Sequence, residues 1–327
     1  MSRYARQTIL PEIGADGQAR IGAAHVLVVG AGGLGVPVLQ YLAGAGVGQI
    51  TLVDPDRAEE TNLHRQPIYG PHIGQPKATA AAAVLHALNP QVQVVPLVEW
   101  LTPANAPALV AAADLVLDCG DSFAVSYTLS DVCLAAGKPL ISASVLGLAG
   151  YVGGFCGTAP SLRALFPDLP DSVATCATAG VLGPVVGMFG LVQAQMALAV
   201  LTGMTPSPLG QLVRWNMRGF RTTSFRFDAA PEPAQAHRFV ARADLRPDDV
   251  IVDLRDEAEA PQTIPHAIRR PVQAIGPDFP RPAADQRAVF ACRSGLRAWR
   301  AADRLRPHWP GEIALLADTT ITKGGNP

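Results

Sequence analysis

Ala24-His25-Val26-Leu27-Val28-Val29-Gly30-Ala31-Gly32-Gly33-Leu34-Gly35 sets a short β-branched apolar run against a cluster of glycines. Such a run is apolar on both faces, so it reads as a buried strand of a parallel sheet ending at Gly30. A helix is expected from Leu34 to Ala45. Gly30, Gly32 and Gly35 fit G-x-G-x-x-G, in which glycines let the backbone approach phosphate and the helix start offers free N–H groups to anions. The next apolar strand, Ile50 to Asp54, ends about twenty residues on in an acid that can bind ribose hydroxyls. This motif alone describes an NAD-dependent dehydrogenase equally well.

Outward from this unit the alternation continues. Lys77 to Leu88, Ala104 to Ala112 and Tyr127 to Ala136 read as helices. Val92 to Leu97, Leu115 to Cys119 and Pro139 to Val145 read as strands. Strands alternating with helices predict an α/β fold, a Rossmann-like doubly wound sheet. Past Gly150 the pattern changes to a strand at Tyr151 to Phe155, a loop over Gly157 to Thr175 and an antiparallel pair within Leu212 to Phe227. Ala177 to Met204 is uncharged and mostly apolar. Its glycines and glutamines favour a helix buried in a core or a dimer interface over a membrane span. Residues 229–237 are rich in Pro and Ala without periodicity and suit a linker. The domains expected are therefore 1–228, an ATP-binding unit, and 238–327, a smaller α/β unit. In the latter Val250 to Leu254 and Ala288 to Ala291 read as strands, and Ser294 to Leu305 as a helix.

The composition narrows the function. With 327 residues, 49% hydrophobic and 16% charged, the chain has material for two packed cores. A net charge of -1 gives no electrostatic case for nucleic acid or a membrane surface. Five cysteines, with no C-x-x-C among them, argue for a reducing, cytoplasmic setting. The N-terminus lacks an apolar signal segment. Lysine is rare, at Lys77, Lys138 and Lys323 only, which makes Lys77 stand out.

Asn62-Leu63-His64-Arg65-Gln66 and Gly74-Gln75-Pro76-Lys77 would put two cations, Arg65 and Lys77, near a nucleotide. A dehydrogenase has no such need. An enzyme that breaks the α–β phosphate bond does, to stabilise charge building on the phosphates. Asp121, just past the Leu115 to Cys119 strand, falls at the carboxyl end of the sheet, where ligands bind. There it can hold Mg²⁺ bridging phosphate oxygens. The plainer alternative makes Arg65 and Asp121 a surface salt bridge and Lys77 a surface residue at a helix start.

Arg3-Tyr4-Ala5-Arg6-Gln7, VLVVGAGGLG (26–35), YLAGAGVG (41–48), LVDPD (52–56), NLHRQ (62–66), GQPK (74–77), Leu88-Asn89-Pro90, Asp118-Cys119-Gly120-Asp121 and Cys176-Ala177-Thr178-Ala179-Gly180-Val181 together resemble the ThiF/MoeB/HesA branch of the ubiquitin-activating-enzyme-like superfamily. The resemblance runs from Arg3 to about Phe227. It implies that Gly30, Gly32, Gly33 and Gly35 line the nucleotide, with Asp54 on its ribose and Asp56 alongside. It implies that Asn62, Arg65 and Lys77 face the phosphates and that Asp121 binds Mg²⁺. Arg6 would reach into the partner subunit's site of a homodimer, and Cys176 matches the cysteine that in some members joins a carrier covalently. Many relatives also hold a structural zinc on two C-x-x-C pairs. Here Ser161-Leu162-Arg163-Ala164 stands in the first place and nothing after Trp215 supplies the second, so no zinc is expected. Ser122, Ser126 and Tyr151 also depart from the family's usual residues, which bears on contacts to the carrier's tail.

In the second unit Cys292-Arg293-Ser294-Gly295-Leu296-Arg297 follows a strand and opens a helix. A thiolate at a helix N-terminus beside arginines is activated as a nucleophile. The run resembles the rhodanese active loop, with upstream matches at Val252 to Glu257 and Ile264 to Ala267, and His266 replaces a usual glycine.

The resemblances imply an enzyme that uses ATP and Mg²⁺ to adenylylate the C-terminal glycine carboxylate of a small ubiquitin-like sulfur carrier. A persulfide on Cys292, charged by a cysteine-desulfurase-type donor, would then yield a thiocarboxylate. The run Ala179 to Gly187 is more similar to ThiF, which favours a ThiS-like carrier of thiamine thiazole synthesis. The same chemistry on a MoaD-like carrier of molybdopterin synthesis is the alternative. A non-catalytic carrier-binding scaffold, or adenylylation of a tRNA base, stands further off.

Overall fold

The computed structural model describes residues 3–169, 180–261 and 264–318. These divide into two compact units. The first comprises Met1–Leu101, Ala106–Asp121 and Leu129–Glu232, and the second Thr102–Asn105, Ser122–Thr128 and Pro233–Pro327.

The first unit opens with α1 (Ala5–Thr8), α2 (Gly14–Ala23), β1 (His25–Val29), α3 (Gly35–Ala45) and β2 (Gln49–Val53). Then follow α4 (Lys77–Leu88), β3 (Gln93–Leu97), α5 (Ala106–Ala112), β4 (Leu115–Asp118) and α6 (Phe123–Ala136). Next come β5 (Pro139–Leu146), β6 (Ala149–Cys156), α7 (Leu162–Leu165), α8 (Gly183–Thr202), β7 (Gln211–Asn216) and β8 (Arg221–Arg226). One eight-stranded sheet forms in the order β3-β2-β1-β4-β5-β6-β7-β8. It is parallel from β3 to β5 and antiparallel from β5 to β8. The chain order reverses between β1 and β4, so the crevice at their carboxyl ends is the natural ligand site of such a sheet. Val26 to Val28 and Leu115 to Leu117 are fully buried, as continuous apolar runs demand of a sheet covered on both faces.

α8 has the length and apolarity to cross a membrane, and half of its most apolar window is buried within the protein. Its packing explains the composition. Val185, Val186, Phe189, Ala194 and Ala197 join the core of the first unit. Gln193, fully buried, donates from Nε2 to the carbonyl of Asp118 at 2.7 Å, at the end of β4. This buried polar side chain of the core helix therefore satisfies a backbone acceptor where the sheet meets the crevice. Of the apolar stretch expected from Ala177, residues 177–179 lie outside the described residues.

The segment from Ser161 to Ala164 is closed by side-chain hydrogen bonds. Ser161 caps α7, accepting from the N–H groups of Arg163 and Ala164. Glu232 takes hydrogen bonds from Ser161 N at 2.7 Å and Ser161 Oγ at 2.5 Å. Arg163 is buried against Asp131, with Nε to Oδ1 at 2.6 Å. The loop is thus stitched to the chain beyond β8 by side-chain hydrogen bonds.

The second unit contains β9 (Arg238–Phe239), β10 (Val250–Asp253), β11 (Ile268–Arg269), β12 (Ala288–Cys292), α9 (Leu296–Leu305) and β13 (Ile313–Ala317). Its sheet is parallel throughout, in the order β11-β10-β12-β13-β9. Sequence reading finds β10 and β12 but not β9 and β11, which are two residues long, nor β13. Buried arginines are paired, as their desolvation requires. Arg255 meets Asp253 at 2.9 Å and Asp318 at 2.7 Å, and Arg287 meets Asp249 at 2.7 Å.

Two outcomes are expected. Gln193→Leu removes the donor to Asp118 and costs about 1–3 kcal/mol, measured by urea unfolding. His266 sits at φ 62, in the left-handed region that suits glycine. His266→Gly therefore raises the stability of the second unit by about 0.5–1 kcal/mol, after allowing for glycine's extra chain entropy, measured by thermal unfolding.

Candidate active site

The site is built on the turn between β1 and α3. Gly30 holds φ +98, and a Cβ there would meet the Cys119 carbonyl oxygen at 2.7 Å. Gly35 packs so closely on the turn that a Cβ would lie 2.0 Å from the Gly30 carbonyl oxygen. Side chains are excluded by backbone, which leaves main-chain N–H groups at the start of α3 facing the crevice.

Ala31, at the centre of the turn, is held from both sides. Its N–H donates to Asp54 Oδ2 at 2.6 Å. Its carbonyl accepts from the Tyr69 hydroxyl at 2.8 Å. Asp54 Oδ1 accepts from Asp56 N at 2.8 Å, so both oxygens of this acid brace the loop. Burial pushes the Asp54 carboxyl up, and the Ala31 N–H and the Lys77 charge oppose it. Tyr69 is fully buried, and burial beside Asp54 pushes its phenol up, so it remains a donor. Asp54 thus serves the loop's own geometry, in addition to any ribose contact. Tyr69 escapes sequence reading because it sits in the aperiodic run Pro67-Ile68-Tyr69-Gly70.

The two cations do converge on this loop. Lys77 opens α4 as a buried side chain, with Nζ 3.0 Å from Asp56 Oδ2, and its N–H donates to the Asp56 carbonyl at 2.8 Å. The Arg65 Cδ lies 3.4 Å from the point a Cβ on Gly33 would occupy, so the arginine stem runs over the glycine turn. Its Nη1 donates to His64 Nε2 at 2.7 Å and to the Thr61 carbonyl at 3.4 Å. Among the described residues Arg65 makes no ion pair, and the alternative of a salt bridge to Asp121 is not what forms. Asn62 contributes its carbonyl, which accepts from both Arg65 N and Gln66 N.

Asp121 is exposed just past β4. Because Cys119 N donates to the Val29 carbonyl at 2.8 Å, the β4 end lies against the β1 end, and Asp121 stands on the carboxyl edge with the glycine turn. A single carboxylate suits Mg²⁺, which keeps waters and takes phosphate oxygens for the rest of its shell. Arg6 is exposed on α1. Its neighbour Gln7 donates to the Ala45 carbonyl at 2.8 Å, at the end of α3 remote from the glycine turn. Within one chain Arg6 stands apart from the site. Cys176 lies outside the described residues.

In the second unit Cys292 closes β12 and is fully buried, with Sγ accepting from Ala298 N at 3.4 Å in the first turn of α9. Arg297 is bonded to Glu259 and donates to the Leu254 carbonyl at 3.3 Å. Asp318 N donates to the Cys292 carbonyl at 2.8 Å. The other described cysteines are inert: burial pushes Cys119 and Cys133 well up and Cys156 up to about 12.

A braced glycine turn with Arg65 over it, Lys77 at Asp56 and an acid across the switch point gather at the carboxyl edge of a doubly wound sheet. The ThiF family profile matches residues 4–237, and the chain belongs to the ThiF family. "Adenylyltransferase and sulfurtransferase UBA4" of Yarrowia lipolytica is 46% identical over 210 residues, 62% of this chain and 52% of that protein. "Adenylyltransferase and sulfurtransferase MOCS3" of Bos taurus is 47% identical over 222 residues, 66% of this chain and 49% of that protein. The chain thus spans about half the length of the curated relatives it matches. Among solved structures, E. coli MccB with ATP aligns with a TM-score of 0.63 at 20% identity, covering 71% of this chain and 74% of that one. PaaA aligns at 0.59 and 21% identity, covering 69% and 72%. At these identities the structures speak for the fold alone.

Tyr69→Phe leaves the Ala31 carbonyl without its donor. The expected outcome is a loss of about 1–3 kcal/mol in stability and weaker nucleotide binding, read from denaturation and ATP titration.

Proposed function

We propose that the chain is an ATP-dependent adenylyltransferase for the C-terminal glycine carboxylate of a small ubiquitin-like sulfur carrier, with sulfur transfer following at the rhodanese-like unit. The observation that carries this reading is a pair of cations set about the braced turn, Arg65 over Gly33 and Lys77 on Asp56, whose N–H is held by the bracing Asp54. A dehydrogenase has no leaving pyrophosphate for them to stabilise.

The carrier's carboxylate oxygen attacks the α-phosphorus, an O–P bond forms, and the bond to the β-phosphate oxygen breaks. Arg65 and Lys77 meet the charge that moves onto pyrophosphate. Asp121 would hold Mg²⁺, which would supply further charge neutralisation. Most of the acceleration then comes from positioning and preorganised charge. In the second stage a persulfide sulfur on Cys292 attacks the acyl carbon and AMP leaves. A second thiol, for which Cys176 is the candidate, attacks the Cys292 sulfur of the acyl disulfide, forming a disulfide with Cys292 and freeing the thiocarboxylate; a small-molecule thiol reductant then regenerates both cysteines. A cysteine-desulfurase-type donor and a reducing compartment suit this chemistry. Arg6, remote from its own turn, fits a homodimer in which it completes the partner's site.

The carrier is a MoaD-like protein in this reading. The local likeness of residues 179–187 to ThiF points to a ThiS-like carrier, but the relatives named UBA4 and MOCS3 combine adenylyltransferase and sulfurtransferase in one chain, as proposed here. They give the thiamine assignment no support, and the alternative takes its place.

ATP–pyrophosphate exchange with MoaD-type and ThiS-type carriers from the same genome tests this. Exchange is expected with the MoaD-type carrier, falling by about a hundred-fold or more in Asp121→Ala. Exchange with the ThiS-type carrier alone restores the thiamine assignment. Exchange with neither overturns the adenylyltransferase reading and leaves a binding scaffold.

A further inference from the structure

Gln66 is one of the most buried polar residues of the first unit, at 2% exposure. Its backbone is fixed: the N–H donates to the Asn62 carbonyl at 2.9 Å, and the carbonyl accepts from Tyr69 N at 3.3 Å. Its side chain is not satisfied. Oε1 is buried with no hydrogen-bond partner. An unpaired buried amide oxygen costs the folded protein free energy, and such atoms are rare in native cores.

The direction of the amide suggests what it is for. Nε2 lies 3.7 Å from the point a Cβ on Gly32 would occupy. Arg65, the preceding residue, runs its stem over Gly33. Consecutive residues of one turn therefore set an arginine stem and an amide along consecutive glycines. The turn at the start of α3 is an anion seat, and an amide N–H₂ is a donor that an anion can use.

We propose that Gln66 is a nucleotide-binding residue, whose Nε2 donates to a phosphate oxygen of ATP seated on Gly32 beside Arg65. The assignment rests on the adenylyltransferase reading and adds to it a neutral phosphate contact. The residue lowers the stability of the free protein and raises the affinity for the triphosphate.

Two variants of the full chain test this. Gln66→Met keeps the volume and removes both polar ends, and Gln66→Glu keeps the shape and sets a carboxylate against the phosphates. Thermal unfolding without ligand should give Gln66→Met a melting temperature equal to or above that of the wild type. ATP titration should show about ten-fold weaker binding in Gln66→Met, the loss of one hydrogen bond to a charged group, and a larger loss in Gln66→Glu. Adenosine, which lacks the phosphates, should bind both variants as it binds the wild type. In exchange assays the KM for ATP should rise in Gln66→Met with kcat little changed. ATP affinity that is unchanged in both variants, or adenosine affinity that falls as far as ATP affinity, overturns the proposal while the adenylyltransferase reading stands. A wild-type protein that binds no ATP sinks both.

Discussion

The first unit turns on the two hydrogen bonds at Ala31. A glycine-rich turn has the conformational freedom that close approach to phosphate needs, and that same freedom would blur the seat it forms. Asp54 and Tyr69 remove it, one from the amide side and one from the carbonyl side. Each brace comes from a different part of the chain, the end of β2 and the segment before α4. The turn therefore keeps its shape only when the sheet and its crossover are assembled. Asp56, tied to Asp54 through its N–H and to Lys77 through its carboxylate, carries the same constraint on to the cation. Preorganisation of this kind is what allows charge to be stabilised without reorganisation during reaction.

Much of this was legible in the chain. β1 and β4 are apolar throughout because both faces are covered, and that pattern survives without any knowledge of neighbours. Lys77 to Leu88 emerges as a helix with the residues expected. Gly30, Gly35, Arg65 and Lys77 could be named because glycines and cations are uncommon at their spacing. What the chain did not reveal depends on distant contacts. Tyr69 and Gln66 look like ordinary loop residues until the turn at Gly32 is folded against them. The two-residue strands β9 and β11 carry too little periodicity to be read, and they exist because longer strands offer them an edge.

In the second unit the constraint is electrostatic. Asp253, Arg255, Asp318 and Arg242 form one chain of ion pairs at the carboxyl edge of the sheet. The loop of Cys292 is anchored to it through the Asp318 N–H. Buried pairs of this sort add little net stability, but breaking one leaves a charge stranded in the core, so they fix a geometry strongly. The loop that carries the buried Cys292 thiol is thereby set in a rigid frame.

The link from Ser161 to Glu232 changes what the first unit depends on. A thiolate–zinc cross-link ties a fold to metal supply, and chelators or oxidised cysteines dissolve it. A serine and a glutamate need neither metal nor reduced sulfur. The hydrogen bonds that close this loop are themselves indifferent to chelators and to thiol oxidants. Sensitivity to oxidants is thereby left to the cysteines that handle sulfur.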